Sequence, residues 1–435
     1  MGEKLNGRKQ FRLRIEKLVY GGKGLGRFNG RIVFVPQVAP GDLVVVEEVS
    51  RKSGFSEARL VKVLESSEHR VEPLCPYFGK CGGCDWQHID YKEQVEAKRL
   101  IVEENLQKIG KIRSPRIDEV VPSPSPWNYR NRAQIKVRDG KVGFFGKSSH
   151  QLVEVERCPL LKKDLEGIFP RLKELLRELP TEPYEFHLYS SSKGEVLLKI
   201  VYQGRFKRID LSLEQVKEIL KLNLVGYGIY KVANGGYPER IKFFGRDFTY
   251  EKVGKFKFRV SADSFFQVNI FQVENLITRV SKAATEAQFM LAGDLYCGVG
   301  TFTIPVGRYV HRAFGVESNF WAVSDALYNK DINGLRNIQF FCREAEEGLK
   351  IVEDYSPDLV VVDPPRSGLS GKVVKALARL PRLRKIVYVS CNPSTLARDL
   401  ALFHKFGVNL ERAKVLDMFP QTYHVETVAY LRKVR

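Results

Sequence analysis

Missing from these 435 residues is any apolar run of membrane-spanning length, so no transmembrane helix is expected. The first ten residues, Met1 to Gln10, are basic and lack the apolar centre of a secretory signal. Neither a lipidation motif nor a basic amphipathic helix offers a membrane anchor. Low-complexity tracts and internal repeats are absent, which excludes solenoids and fibrous arrays. Acid is in deficit: 51 Asp and Glu stand against 71 Lys and Arg, a formal charge of +20. A surplus of that size draws a chain towards a polyanion, nucleic acid before a membrane surface. Methionine is scarce (three residues) while Lys, Arg and Glu abound, a weak sign of a heat-adapted source. Cysteines number seven, an odd count that suits metal or catalysis better than disulfides in a reducing compartment. A soluble, cytoplasmic, monomeric protein is therefore expected.

What is present divides into two or three domains, since 435 residues exceed one ordinary core and 43% are hydrophobic. Short alternating segments (Arg12–Leu18, Ile32–Val35, Leu43–Glu47, Ala58–Val63) are separated by turn signals such as Gly21-Gly22, Asn29-Gly30 and Pro40-Gly41. That is the pattern of a small OB-like β-barrel. The run Gly21 to Gly26 leads into a strand, not a helix, so its glycines are turn residues and no nucleotide fingerprint. The segment resembles a TRAM domain, a small RNA-binding barrel.

Cys75, Cys81 and Cys84 follow, with Gly82-Gly83 between the last two. Such spacing is not core packing, and the glycines let the backbone turn tightly round an ion or cluster. Cys158 is the one cysteine left before residue 297 and is the candidate fourth ligand. Four thiolates suit a structural zinc or an iron–sulfur cluster. A close triplet with one distant ligand favours a four-iron, four-sulfur (4Fe-4S) cluster. Tyr91 to Ile109 reads as an amphipathic helix ended at Gly110, and the Ser/Pro-rich 122–126 is a linker. Tyr129 to Arg138 reads as a strand with one basic face, either solvated or turned to phosphates. Helical stretches are expected near 161–178 and 213–221.

From Ala262 strands alternate with helices, the texture of a mainly parallel sheet. Phe289 to Leu295 runs through Asp294 into Gly298-Val-Gly300 and a helix. A nicotinamide fingerprint wants a third glycine, and Thr303 stands near that place. Asp294 and the glycine pair suit S-adenosylmethionine instead, which needs close backbone approach but brings no pyrophosphate. The next strand ends in Glu317, where a ribose diol would lie. Leu359 to Asp363 ends in the rigid turn Asp363-Pro-Pro. Ile386 to Ser390 is a buried strand that leaves Cys391 at its carboxyl tip, where open α/β sheets hold ligands. Asn392-Pro393 breaks the strand, and Ser394 or Thr395 is the expected cap of the following helix.

Phe266-Gln267-Val268-Asn269, Asp294 to Gly300, Asp363-Pro-Pro-Arg366, Ser390-Cys391-Asn392-Pro393 and His424-Val425-Glu426-Thr427 together resemble the RNA uracil-5-methyltransferase family. With the barrel and the cysteines, the resemblance runs to the iron–sulfur, TRAM-bearing branch that acts on 23S ribosomal RNA; transfer RNA is the alternative substrate. It implies a multidomain α+β protein: a TRAM-like barrel at 5–66, a mixed iron–sulfur and RNA-binding domain at 67–255, and a Rossmann-like class I methyltransferase domain at 256–435. The helix near 91–110 is expected to pack on that last domain. The resemblance also implies Gln267, Tyr296, Thr301, Glu317 and Asp363 around cofactor and base, Cys391 as nucleophile and Glu426 as base. Many relatives carry Asn where Thr301 stands, and Phe341 to Glu346 lacks the usual Gly-Asp before Ala-Glu, so no adenine contact is assigned there. The chemistry asks for such a pair. Uracil C5 attacks a methyl sulfonium only after a thiolate adds at C6, and a carboxylate must then remove the C5 proton.

Overall fold

Why the amino-terminal segment closes on itself is visible in its burial pattern. Phe11, Leu13 and Ile15 point inward while Arg12, Arg14 and Glu16 point out, so a strongly twisted antiparallel sheet can bury only one face. The computed structural model describes residues 4–5, 8–232 and 236–434; of the basic first ten residues, 1–3 and 6–7 fall outside it. After the short β1 (Lys4–Leu5), strands β2 (Arg8–Leu18), β3 (Lys23–Phe28), β4 (Arg31–Pro36), β5 (Leu43–Arg51) and β6 (Phe55–Glu65) run in the order β2-β3-β4-β6-β5. Pairing of β2 with β5 closes the five-stranded barrel and removes its sheet edges.

Helix α1 (Tyr91–Lys108) starts at Asp90, whose carboxylate accepts from the Glu93 N–H. Strand β7 (Ile117–Val121) comes next, ahead of a seven-stranded middle sheet. That sheet contains β8 (Arg132–Arg138), β9 (Lys141–Phe145), β10 (Leu152–Glu154), β11 (Glu185–Ser190), β12 (Val196–Gln203), β13 (Leu224–Val232) and β14 (Pro238–Gly245), ordered β10-β9-β8-β11-β12-β13-β14. One face packs under α2 (Phe169–Glu178) and α3 (Leu213–Leu220). The helix expected from 161 begins only at 169. Pro170 lies in its first turn, where its missing N–H costs nothing, and longer helix ahead of it would lose a backbone bond, so 161–168 stay mostly in turns. Likewise β8 begins at Arg132, not Tyr129, because Asn131 N–H is given to Val268 O.

A hairpin, β15 (Phe248–Val253) and β16 (Phe256–Ser261), leads into the carboxyl-terminal domain. There α4 (Val273–Thr285), β17 (Leu291–Leu295), α5 (Thr303–Gly307), β18 (Arg312–Glu317), α6 (Phe320–Ile332), β19 (Ile338–Cys342), α7 (Leu349–Tyr355), β20 (Leu359–Val362), α8 (Gly371–Arg379), β21 (Lys385–Ser390), α9 (Pro393–His404), β22 (Val408–Leu416) and β23 (Glu426–Lys433) alternate. The eight-stranded sheet is ordered β19-β18-β17-β20-β21-β23-β22-β7. Its first five strands are parallel, and β23 is antiparallel to both neighbours. Strand order reverses on either side of β17, the switch point where such sheets bind ligands beyond their carboxyl ends. One face is covered through Val273, Leu276 and Val280 of α4. The other lies under α8, α9 and the end of α1, whose Val102 and Leu106 join that core. The fold is thus multidomain α+β, with a barrel first and a class I methyltransferase sheet last. Residues 91–121 belong to that sheet's packing although they precede the middle sheet in the chain.

Candidate active site

The carboxyl ends of β17, β18, β20 and β21 and the amino end of β23 meet at one edge. Fully buried strands carry no solvated face there, which is why Leu359–Val362 and Ile386–Val389 are apolar throughout. After β17 the chain turns sharply: Tyr296 takes φ +64°, Gly298 +54° and Gly300 +83°. A Cβ at Gly298 would meet nothing within 4 Å, so this is open space beside bare backbone. Glu317 closes the other side; its carboxylate accepts from the N–H groups of Gly298 (3.0 Å) and Asn319 (2.8 Å). Those bonds fix its direction and leave lone pairs free for a diol.

Asp294 is buried beneath the turn. One of its oxygens accepts from the Thr303 hydroxyl at 2.5 Å; the other has no partner. Burial pushes its carboxyl up to about 8, with the neighbouring charges of Asp363 and Glu317 adding to the effect. Thr303, where a third glycine was sought, is therefore the partner of Asp294; only the contact reveals it. Thr301 is buried in the same turn. Tyr296 contributes backbone here, its N–H bonded to Val316 O, while its ring packs against the opposite core.

Asp363, following β20, receives a 3.4 Å hydrogen bond from the Gln267 amide, and burial raises its carboxyl to about 7. In the β21–β23 ladder Ser390 faces Thr427, so Cys391 and Glu426 are the next positions, one on each strand, at the edge. Glu426 is 3% exposed, with one oxygen unpartnered. Burial and Asp363 push its carboxyl well above the ordinary range. Cys391 is half-buried, and its thiol is pushed up to about 12 by burial and then by Glu426 and Asp363, against the pull of Arg366.

The caps differ from expectation. Asn392, not Ser394 or Thr395, caps α9; its side chain accepts from Ser394 N–H at 3.1 Å, and Pro393 supplies the first helical residue. Ser394 instead donates to Asn105 of α1 (2.8 Å), and Thr395 donates to Arg366 O (3.3 Å). Asn392 also donates to Arg366 O at 3.0 Å, tying the Cys391 turn to the Asp363 turn.

The loop before Glu426 is held by residues that precede the middle sheet in the chain. Asp85 and Trp86 N–H both donate to Gln421 O at 3.0 Å. The side-chain amides of Gln94 and Gln421 bond each other at 3.0 Å, and Gln94 also takes the Gln421 N–H at 2.9 Å. Buried Lys98 pairs with Asp417 at 2.6 Å, and the Tyr129 hydroxyl donates to Pro420 O at 3.0 Å. Gln421 itself sits at φ +68°, a strained position kept by these bonds.

Cys75, Cys81, Cys84 and Cys158 line one cavity of about 230 Å³ that also receives Arg130 and Arg157. No Asp, Glu or His lines it. Burial raises all four thiols, Cys158 to about 11. Among the described residues no three His, Cys, Asp or Glu side chains are disposed to hold a single metal ion. A larger cleft of about 880 Å³ runs between the middle sheet and the carboxyl-terminal domain, lined by Arg130, Arg132, Lys199, Arg240, Phe265 and Trp321. Arg132 and Gln134 of β8 line it, with the Arg132 guanidinium 4.3 Å from the Tyr189 ring.

Residues 90–434 match the family described as tRNA (uracil-5-)-methyltransferase, and residues 4–61 match the TRAM domain. The chain belongs to the tRNA (uracil-5-)-methyltransferase family. An uncharacterized RNA methyltransferase of Aquifex aeolicus is 40% identical over 426 residues, 97% of this chain and 98% of that one. One from Halalkalibacterium halodurans is 32% identical over 443 residues, covering 96% and 95%. Among solved structures, the Pyrococcus abyssi tRNA (uracil-54, C5)-methyltransferase in complex with S-adenosyl-L-homocysteine is similar with a TM-score of 0.76 at 29% identity, over 97% of this chain and 100% of that one. The protein is thus an S-adenosylmethionine-dependent RNA uracil-5-methyltransferase with a TRAM barrel. No helix among the described residues is long and apolar enough to cross a membrane.

Proposed function

We propose that this methyltransferase modifies C5 of one uridine in structured RNA, and that the RNA is 23S ribosomal RNA, through a covalent bond between Cys391 and C6. The observation that carries the catalytic reading is the register: Cys391 and Glu426 lie opposite each other at the open edge, beside Asp363 and Gln267. S-adenosylmethionine, when bound, supplies the methyl group. Gly298 backbone, Glu317, Asp294, Thr301, the Tyr296 turn, Gln267 and Asp363 are the residues that would hold it and the base. The Cys391 thiol gives its proton to water as its sulfur adds to C6, and the C5–C6 pair moves into the ring enolate, which makes C5 nucleophilic. After C5 has received its methyl group, Glu426 takes the C5 proton. The freed pair forms the C5–C6 double bond and sulfur leaves as thiolate.

The base must leave its stack to reach this edge. In this reading the barrel (5–66) and the middle unit (67–255) hold RNA phosphates for the catalytic unit (256–435), with the basic cleft as the track. Cys75, Cys81, Cys84 and Cys158 hold a 4Fe-4S cluster. Four thiols with two arginines and no carboxylate in the lining suit an anionic cluster, and thiols spread round a cavity suit several irons better than one zinc. Methyl transfer moves no electrons, so the cluster would fold the middle domain or shape RNA binding.

The ribosomal assignment rests on the joint presence of barrel and four cysteines. Transfer RNA is the second reading, favoured by the name of the Pyrococcus abyssi relative. Mapping labelled methyl groups on total RNA from cells lacking the protein decides between them. A missing 5-methyluridine in 23S RNA supports the first reading, and one missing from transfer RNA overturns it.

A further inference from the structure

The turn between β2 and β3 of the barrel is tight and pinned. Gly22 N–H donates to Val19 O at 3.2 Å, and Val19 N–H to Lys23 O at 2.9 Å. The Trp86 indole donates to Gly22 O at 3.2 Å. Gly22 has φ +83°, and a Cβ there would stand 2.9 Å from the Asp85 carboxyl carbon, so glycine alone lets the turn come this close. Asp85 and Trp86 are the same two residues that hold Gln421 O. A barrel turn and the loop preceding Glu426 thus share one support.

Tyr20 projects from that turn towards the catalytic edge. Its ring meets Tyr423 edge to face, centroids 5.2 Å apart. The Tyr423 ring lies 4.2 Å from that of His424, and His424 Nε2 is 3.4 Å from an Arg366 nitrogen. Because a guanidinium only donates, that contact makes Nε2 an acceptor. The neutral ring then carries its proton on Nδ1, a buried nitrogen without a partner. The Tyr20 hydroxyl has no hydrogen-bond partner among the described residues, and the charges of Cys391, Arg366 and Glu426 act on it. Burial raises it to about 12, so it is a neutral donor at any working pH. The ring is half-buried, and exposed Arg366 is reached from it through Tyr423 and His424. When a base enters to meet Cys391, its sugar and phosphate must stay at the rim.

We propose that Tyr20, a barrel residue, is part of the catalytic pocket and donates a hydrogen bond to the phosphodiester of the target nucleotide. The inference rests on the covalent reading above and adds a third region of the chain to the site. It gives the barrel a direct share in placing the reacting base, beyond general affinity for RNA. A neutral phenol suits this place because the carboxylates behind it would compete for a second cation, whereas a hydroxyl donates to phosphate without pairing to them.

The test uses the full-length protein and an RNA that it methylates. Tyr20→Phe keeps the ring contact with Tyr423 and removes only the hydroxyl. It should lower kcat/KM for RNA by about ten- to a hundredfold, the loss of one hydrogen bond to a charged acceptor, with melting temperature and S-adenosylmethionine affinity unchanged. In a second arm, the phosphate beside the target uridine is replaced by a neutral methylphosphonate. Wild-type protein should then fall to the level of Tyr20→Phe, and the variant should lose nothing more. Wild-type rates for Tyr20→Phe, or losses that multiply between the arms, overturn the proposal. Absence of a covalent adduct between wild-type protein and 5-fluorouridine RNA would instead sink the role of Cys391. That failure is separate, because the methylation rates of the two arms still report on Tyr20.

Discussion

Cys391 and the four-cysteine cavity place the same side chain in opposite company. Burial raises the thiols in both, to about 12 at Cys391 and about 11 at Cys158. Around Cys391 stand two carboxylates, Asp363 and Glu426, and one exposed arginine. Around the cavity stand two arginines and no carboxylate. Burial acts in both; carboxylates add to it at Cys391, whereas at Cys84 and Cys158 the other cavity thiols add to it, and at Cys75 Arg157 opposes it. A lone thiol backed by acids stays protonated until an electrophilic carbon is in front of it, which suits a transient covalent bond. Four thiols without acids can all ionise if a cationic centre arrives, which suits permanent ligation.

The sharpest way to break this contrast is to remove one sulfur from each place. Cys391→Ala should abolish the protein–RNA adduct and cut methylation by at least ~10⁴-fold, as loss of a nucleophile does, with no change in bound iron. An adduct in that variant would transfer the role to another thiol, Cys297 first, although it is buried beneath the glycine turn. Glu426→Gln should fail later and less completely, by roughly 10²- to 10⁴-fold. It adds sulfur and accepts the methyl group, then stalls, so a methylated adduct should survive denaturing electrophoresis. Normal turnover would reduce Glu426 to a strand residue.

On the cavity side, anaerobically purified protein should be brown, with iron and sulfide in equal amounts. Cys158→Ala should lose both and melt several degrees lower while Cys391→Ala does neither. A colourless, active protein with one zinc would erase the distinction drawn above. A smaller effect is expected at Glu317, on the same edge as Cys391 and proposed to hold the ribose. Glu317→Ala should weaken S-adenosylmethionine binding at least about tenfold, or about 1.5–3 kcal/mol, measured by calorimetry. Unchanged affinity would remove Glu317 from the site.

The mildest test is pH. Asp294 and Asp363 are raised to about 8 and about 7, so the folded protein holds their protons more tightly than the unfolded chain. Their contribution to stability is complete below about pH 4 and is lost as pH climbs through 7 and 8. Ligand-free protein should therefore melt lower at pH 8 than at pH 5.5, and Asp294→Asn should flatten that slope. A melting temperature that rises over the same interval would contradict the burial of these acids.

Much of the edge was legible because its signals are local. Apolar runs end at Glu317, Asp363 and the Ser390-Cys391 pair, with Asp294 one residue before its own run closes, and a strand buried on both faces keeps its polar residues near the tip. The glycines at 298 and 300 announce a turn for the same reason: a φ near +54° or +83° is open to few other residues. Spacing grouped three of the cysteines, and elimination supplied Cys158. Where side-chain chemistry competes over a few residues, sequence misplaced the details. Asn392 outcompetes Ser394 and Thr395 as the cap because they bond to Asn105 and Arg366, partners some 290 and 29 positions away. Pro170 delays a helix that periodicity extended to 161.

Tertiary structure alone decided the rest. Glu426 has the look of a solvated strand residue, and only the β22–β23–β21 ladder buries it opposite Cys391. Thr303 meets Asp294, Gln94 clamps Gln421, and Tyr20 reaches Tyr423 across distances that no periodicity encodes. Periodicity reports which face of an element is buried. It says nothing of which distant element buries it, and that choice depends on long-range packing set when barrel, cysteine loop and sheet come together.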